Sequence, residues 1–472
     1  MQTRNESTPS EGPNLIRALG TGAALAAVIG NVIGSGIFLK PGIIAAQGGD
    51  FRLILAAWVL GGLVCILGAL CFAELAVMLP HAGGVYVYLR EAYGRPVAFL
   101  FGWNEFLFNR PGSIGALSVA FIGAMSNMMG WEVTGFQEAL IALILISSMA
   151  WVNVLGVVWG GRVQSATTLV KASFLGIMAL LPFGMLLFTG TGFNFGNYQS
   201  TLAQPPDGDF MARFGLVLLG VMWAYNGWHG ITPVAEEVKN PQKNIPLALF
   251  GGVGILIVLY VSANIAYHGV LSMQEMAAAG EHAAETMVSS LLGPLGAALM
   301  AAVIMCSTFG GINSNLLLAP RVAFAMGRDR VLFPQLGRVH PSYRTPAIAI
   351  CIQALMAAVL VVVSGVLIEV LKWEKSIFNM LTDFVIFAAS IFYVLAVIGV
   401  LVLRRKHPEW PRSYRTLGYP VVPLLYVGFY TWFLGQVYLG KTFEANAGLL
   451  MIACGLPAYY GWQSWMARRK RQ

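Results

Sequence analysis

Three clusters of residues could do chemistry in this chain, and all three lie inside apolar stretches. The first is Gly34-Ser35-Gly36, flanked by Val32, Ile33 and Ile37. Two glycines around a serine weaken a helix, because they free the backbone and give it no side chain to pack. A break there would open a second half-helix whose first amides, at Ser35, Gly36 and Ile37, favour a carboxylate. The carbonyls closing the first half would favour an ammonium. A zwitterion such as an amino acid satisfies both ends. On this reading Gly36 must stay small so that a carboxylate can approach the backbone. The second cluster, Trp223-Ala224-Tyr225-Asn226-Gly227, repeats the logic with aromatic residues around Asn-Gly, a second expected break. His229 beside it reads as structural. The third pairs Lys171, too deep in its stretch for comfortable snorkelling, with the hydroxyls of Ser307 and Thr308. A lysine there must find carbonyls or an acid, and the two hydroxyls contribute only if the fold brings them close.

Other polar residues are left with two readings or a structural one. Glu105 and Asn109 share a helix face by their spacing of four, with Arg110 adjacent; bracing and cavity lining both fit. Glu74 reads as an ion-pair partner, and Asp383 as a lone acid able to carry a proton. No P-loop, no His or Cys set at metal spacing and no G-x-S-x-G elbow is present, so neither cofactor nor metal is expected. Ser35 lacks a partner base at readable spacing, which argues against an embedded protease and against an enzyme in general.

The elements that must position these residues follow from composition. Of 472 residues 57% are hydrophobic and 11% charged, far from the roughly 25% charged residues of a soluble domain. About twelve apolar windows, each long enough to cross a hydrocarbon core as a helix, run along the chain without a soluble domain between them. The expectation is an all-α membrane protein in the lipid bilayer. The net charge of +8 collects in alternate loops and at Arg404 to Arg415 and Arg468 to Arg471, a topology signal and not a nucleic-acid patch. It places both termini in the cytoplasm. The five cysteines all fall in apolar windows and read as small core hydrophobes. One broken span opens residues 17–189, and five spans later another opens residues 211–403. An odd number of spans inverts the second unit, and interruptions at matching places point to a binding site at the midplane. Around these units lie an N-terminal tail 1–16, a final helix pair 419–466 and a basic tail 467–472.

With these residues in hand, the chain resembles the amino acid-polyamine-organocation (APC) superfamily, and within it the L-amino acid transporter (LAT) family. The resemblance rests on Gly34-Ser35-Gly36-Ile37-Phe38, Ala73-Glu74-Leu75 with Pro80 and Gly83-Gly84, and Arg110-Pro111. It continues through Ala224-Tyr225-Asn226-Gly227-Trp228, Glu236-Glu237 with Asn240-Pro241, and Arg328-Asp329 leading to Pro334 and Thr345-Pro346. It implies a LeuT-type five-plus-five inverted repeat with helices 1 and 6 broken and the substrate between them. It also implies sodium-independent exchange of neutral L-amino acids by alternating access at a cell membrane, with proton-coupled symport as the alternative. Carried over by motif, the Ser35, Gly36 and Ile37 amides would take the carboxylate. The Val32, Trp223 and Asn226 carbonyls would take the ammonium, and Trp223 would gate the outer side. Lys171 matches the lysine that stands where sodium-coupled relatives bind an ion beside the eighth span. Trp223 replaces the family's usual phenylalanine and Asn226 stands where many relatives have glycine, which implies a smaller, more polar pocket suited to alanine, serine or threonine. No cysteine lies between Ser126 and Gln137, where animal members bind a heavy chain, so no covalent heavy-chain subunit is expected.

Overall fold

The computed structural model describes residues 15–133, 135–204, 208–371 and 377–469. Among these the chain is helical throughout, its one β-type pairing being the bridge between Leu19 and Val238. Among the described residues nine helices are long and apolar enough to cross a membrane, and Phe210–Tyr225 and Ala347–Val363 are shorter apolar ones. The side chain of Asp383, residues 1–14 of the expected N-terminal tail and residues 470–472 of the expected basic tail lie outside the described residues.

The first apolar segment runs as α1 (Thr21–Val32), α2 (Gly36–Leu39) and α3 (Pro41–Gly48). Helix α1 stops because Ile33 turns extended, at φ −68° and ψ 90°. Helix α4 (Phe51–Met78) begins where the Asp50 carboxylate accepts from the Arg52 and Leu53 amides, an N-cap that satisfies donors the helix cannot. A short α5 (Val85–Tyr93) leads to α6 (Arg95–Asn104), a π-helical turn Glu105–Asn109 and α7 (Arg110–Met129). The π turn lies just before Pro111, whose missing N–H already perturbs the ladder. Helices α8 (Gly135–Val154) and α9 (Val157–Thr189) close the first half.

In the second half α10 (Phe210–Tyr225) ends at Asn226, which is extended, and the chain continues through turns to a 3₁₀ helix at Thr232–Glu237. Gly227 has φ +95°, and a Cβ there would lie 2.3 Å from Asn31 Nδ2, so the turn requires glycine. Next come α11 (Pro241–Val270), α12 (Met273–Ala279), α13 (Ala283–Leu292), α14 (Pro294–Leu318) and α15 (Pro320–Arg328). The chain finishes with α16 (Ala347–Leu371), α17 (Ile377–Lys406), α18 (Val421–Gly440) and α19 (Thr442–Arg469), the last where the sequence places a twelfth span.

Helices α1 and α10 sit inside a ring: α9, α11 and α14 pack on α1, and α3, α4, α17 and α18 pack on α10. Outward faces carry Leu169, Leu180, Leu187, Phe188 and Leu439, all strongly exposed, an apolar belt suited to lipid. That belt corrects the reading of the cysteines. Cys65 and Cys71 are buried, but Cys351 and Cys454 are exposed; a window that faces lipid is as apolar as one that faces the core.

Candidate functional site

Both interruptions meet at one place. The Ser35 to Ile37 amides precede the first N–H groups that bond back into α2, since Phe38 and Leu39 both donate to Ser35 O. They are therefore the free donors of a helix start. The Ser35 hydroxyl is buried and has no partner among the described residues. Around it lies a cavity of about 40 Å³, lined by Val32, Gly34, Ser35, Gly36, Trp223, Asn226 and Gly227 together with Asn31, Arg110, Ser113, Leu117, Gly311 and Asn315.

The backbone of this centre is held by side chains from the surrounding helices. Asn31 Nδ2 donates to Gly227 O at 2.8 Å and its Oδ1 accepts from Ser314 Oγ at 2.8 Å, so one amide ties both interruptions to α14. The Tyr260 hydroxyl lies 3.1 Å from the Val32 and Ala224 carbonyls, and Tyr267 donates to Ile37 O at 3.0 Å. Trp223 O accepts from the Asn226 amide at 3.0 Å. A carbonyl oxygen has two lone pairs, so the Val32 carbonyl can accept from Tyr260 and still accept from a ligand.

Gly36 has a packing reason to be small in addition to the one the sequence suggests. A Cβ on it would lie 2.6 Å from Ala224 Cα and 2.9 Å from Ala224 Cβ. The missing side chain lets α2 pack on α10, a packing reason that stands beside the approach of a ligand to the same backbone. At Gly34 the nearest atoms to such a Cβ are 3.8 Å away, so that position has room.

Lys171 is fully buried, and its ammonium donates to Gly30 O at 2.5 Å, in the last turn of α1. Ser307 reaches the interruption separately, with Oγ 3.3 Å from Ile33 O and 3.1 Å from Gly34 O. The Thr308 hydroxyl donates into its own helix, to Ile304 O at 2.7 Å. Lys171 and Ser307 thus reach the end of α1 and the interruption after it, while among the described residues no hydrogen bond joins the lysine to either hydroxyl or Thr308 to α1. Glu74 forms the ion pair expected of it, with Arg404 at 2.7 Å. His229 is buried beside Phe72, Trp228 and Tyr393.

Sequence reading did not choose Asn31, Ser113, Leu117, Gly311 and Asn315. Arg110, Ser113 and Leu117 follow helical spacing on α7, a signal that could have found them once Arg110 was placed in the cavity. Farther along α7 a second cavity of about 290 Å³ opens among Val119, Ala120, Gly123, Ala124, Asn127, Leu39, Ala301, Ile304, Glu281, His282 and Glu285. There Glu285 Oε2 lies 3.3 Å from His282 Nδ1, and this hydrogen bond holds the imidazole pKa above its usual value.

A family model described as amino acid permease matches residues 19–448. The serine/threonine exchanger SteT of Bacillus subtilis is 34% identical over 463 residues, covering 98% of this chain and 99% of that protein. The large neutral amino acids transporter small subunit 2 of Mus musculus is 30% identical over 474 residues, 98% of this chain and 84% of that protein. The Asc-type amino acid transporter 1 of Mus musculus is 29% identical over 471 residues, with the same coverage of 98% and 84%.

Proposed function

The chain belongs to the amino acid permease family of the APC superfamily, a family of multi-pass transporters and not of enzymes, and from that premise we propose that it exchanges small neutral L-amino acids across a cell membrane without sodium. The observation that carries this reading is the cavity at the two helix interruptions, which holds free helix-start amides, carbonyls and a short amide side chain in one small volume. The carboxylate binds the amides of Ser35, Gly36 and Ile37, and the ammonium binds the carbonyls of Val32, Trp223 and Asn226. The cavity is small, about 40 Å³, and alanine, serine or threonine asks less enlargement of it than leucine does. The substrate named for the Bacillus subtilis relative, serine or threonine, supports the same size class.

Residues 17–189 and 211–403 serve as the two units of a LeuT-type inverted repeat, with both termini cytoplasmic. Trp223 closes the site toward the outside, and Lys171 with Ser307 and Thr308 takes the place of a coupling cation. The empty carrier reorients slowly because it leaves polar groups at both interruptions without partners. Exchange follows from that cost. No covalent heavy-chain subunit is needed.

The test uses purified protein in liposomes preloaded with labelled serine. Efflux accelerates when unlabelled serine is added outside. Equally fast efflux into empty buffer, or accumulation driven by a pH gradient alone, replaces exchange with proton-coupled symport.

A further inference from the structure

A buried guanidinium in the wall of a pocket for neutral amino acids calls for an account. Arg110 is 7% exposed and lines the cavity. Its Nε donates to Glu105 Oε1, its Nη1 donates to Asn315 Oδ1 at 3.2 Å, and its Nη2 lies 3.5 Å from His229 Nε2. A guanidinium has five N–H donors, so donors remain for the cavity. Glu105 is not in the cavity wall. Its second oxygen accepts from Asn109 Nδ2, so the carboxylate is engaged on both sides, away from any substrate.

The pairing depends on the π turn. Residues five apart point about 140° apart on an α-helix of 3.6 residues per turn, which would keep Glu105 from Arg110. Here the Arg110 amide donates to Glu105 O, the i to i+5 bond of a π-helix, and the widened turn swings both side chains to one face.

The rest of the side-chain end of the pocket also presents donors. Asn226 Oδ1 lies 3.4 Å from the Tyr393 hydroxyl, which leaves its NH₂ group for a ligand. An accepting oxygen on the substrate suits this surface. An unmasked guanidinium in so dry a place would draw a carboxylate side chain most strongly.

We propose that Glu105 is a charge-masking residue that acts through Arg110: it cancels the guanidinium charge, so that Arg110 serves as a donor for the side-chain hydroxyl of serine or threonine while aspartate and glutamate are refused. This rests on the amino-acid exchange reading above and adds to it the determinant of side-chain charge.

The experiment is serine exchange by the purified full-length protein in liposomes, with serine, alanine and aspartate as competitors, alongside thermal stabilisation by the same compounds. Aspartate does not compete in the wild type. In Glu105→Gln aspartate does compete, with half-inhibition at a concentration at least about tenfold below the highest one without effect on the wild type, and aspartate raises the melting temperature of that variant alone. In Glu105→Gln/Arg110→Gln the gain vanishes and the advantage of serine over alanine shrinks. A merely structural Glu105 would weaken all substrates alike and gain none.

Competition by aspartate in the wild type overturns the proposal. So does a folded Glu105→Gln that still refuses aspartate in both measurements, or a double variant that accepts it as well as the single one. If Glu105→Gln is not recovered folded, the double variant decides: retained preference for serine over alanine overturns the proposal, and lost preference supports it. Absence of any neutral amino-acid exchange in the wild type is a different result, and it removes the underlying reading.

Discussion

Asn226 stands at the point where a substrate side chain would enter the second interruption, half-buried in the cavity wall. Its carbonyl oxygen faces Tyr393, so the side chain is held in one orientation and fills volume that glycine would leave open. A bulky apolar substrate would cover the remaining NH₂ group without pairing it, at about 1 to 3 kcal/mol, or roughly tenfold to a hundredfold in affinity. Asn226→Gly should therefore strengthen leucine inhibition of serine uptake while changing alanine little. If leucine already competes as well as serine in the wild type, selectivity lies elsewhere and Asn226 serves to hold the turn.

Between elements, the contacts are unequal at the two ends of the bundle. Where α1 begins, Leu19 N donates to Glu237 O at 3.0 Å and Lys239 N donates to Leu19 O at 2.8 Å. Glu237 pairs with Arg321 of α15 at 2.8 Å, both side chains fully buried. Glu236 pairs with Arg328 at 2.9 Å and Arg90 with Asp329 at 2.6 Å. The opposite end holds the larger cavity. The ion pairs and backbone bonds hold the elements together on their side in the described conformation. Breaking a buried pair by removing one partner costs about 3 to 5 kcal/mol, since the other charge is stranded. Arg321→Met should shift the population toward opening on that side. A cysteine placed at Leu19 then reacts faster with a water-soluble maleimide than in the otherwise wild-type protein, and equal rates would deny the pairs a latching role.

For the whole molecule, transport without sodium follows if the ammonium of Lys171 already occupies the carbonyl region where α1 ends. It reaches Gly30 O from α9 while Ser307 reaches Ile33 O and Gly34 O from α14. Lys171 and Ser307 thereby tie α9 and α14 to the end of α1. Replacing sodium by choline should leave wild-type uptake unchanged, and Lys171→Ala should abolish most of it, because the α1 carbonyl is left buried and unpaired. A sodium requirement in the wild type would overturn this account.

Composition alone determined that the protein lives in lipid, because a chain with 11% charged residues cannot cover a water-facing surface of this size. Local backbone chemistry marks Gly34-Ser35-Gly36 and Asn226-Gly227 as weak points for regular helix, since glycine acts on its own few residues wherever the chain goes, and α1 and α10 end beside them at Val32 and Tyr225. Tertiary structure decided everything that depends on which helix faces which. It set Ala224 against Gly36, gave Lys171 to Gly30 and not to the hydroxyls of α14, and turned Cys351 and Cys454 outward. It also decided the role of Arg110. Spacing placed Glu105 and Asn109 on one face, but only the π turn, one extra residue in the ladder before Pro111, brings Glu105 onto Arg110. An added residue in a helical turn changes the direction of every side chain around it while leaving the hydrophobic pattern almost unaltered, so periodicity could not register it.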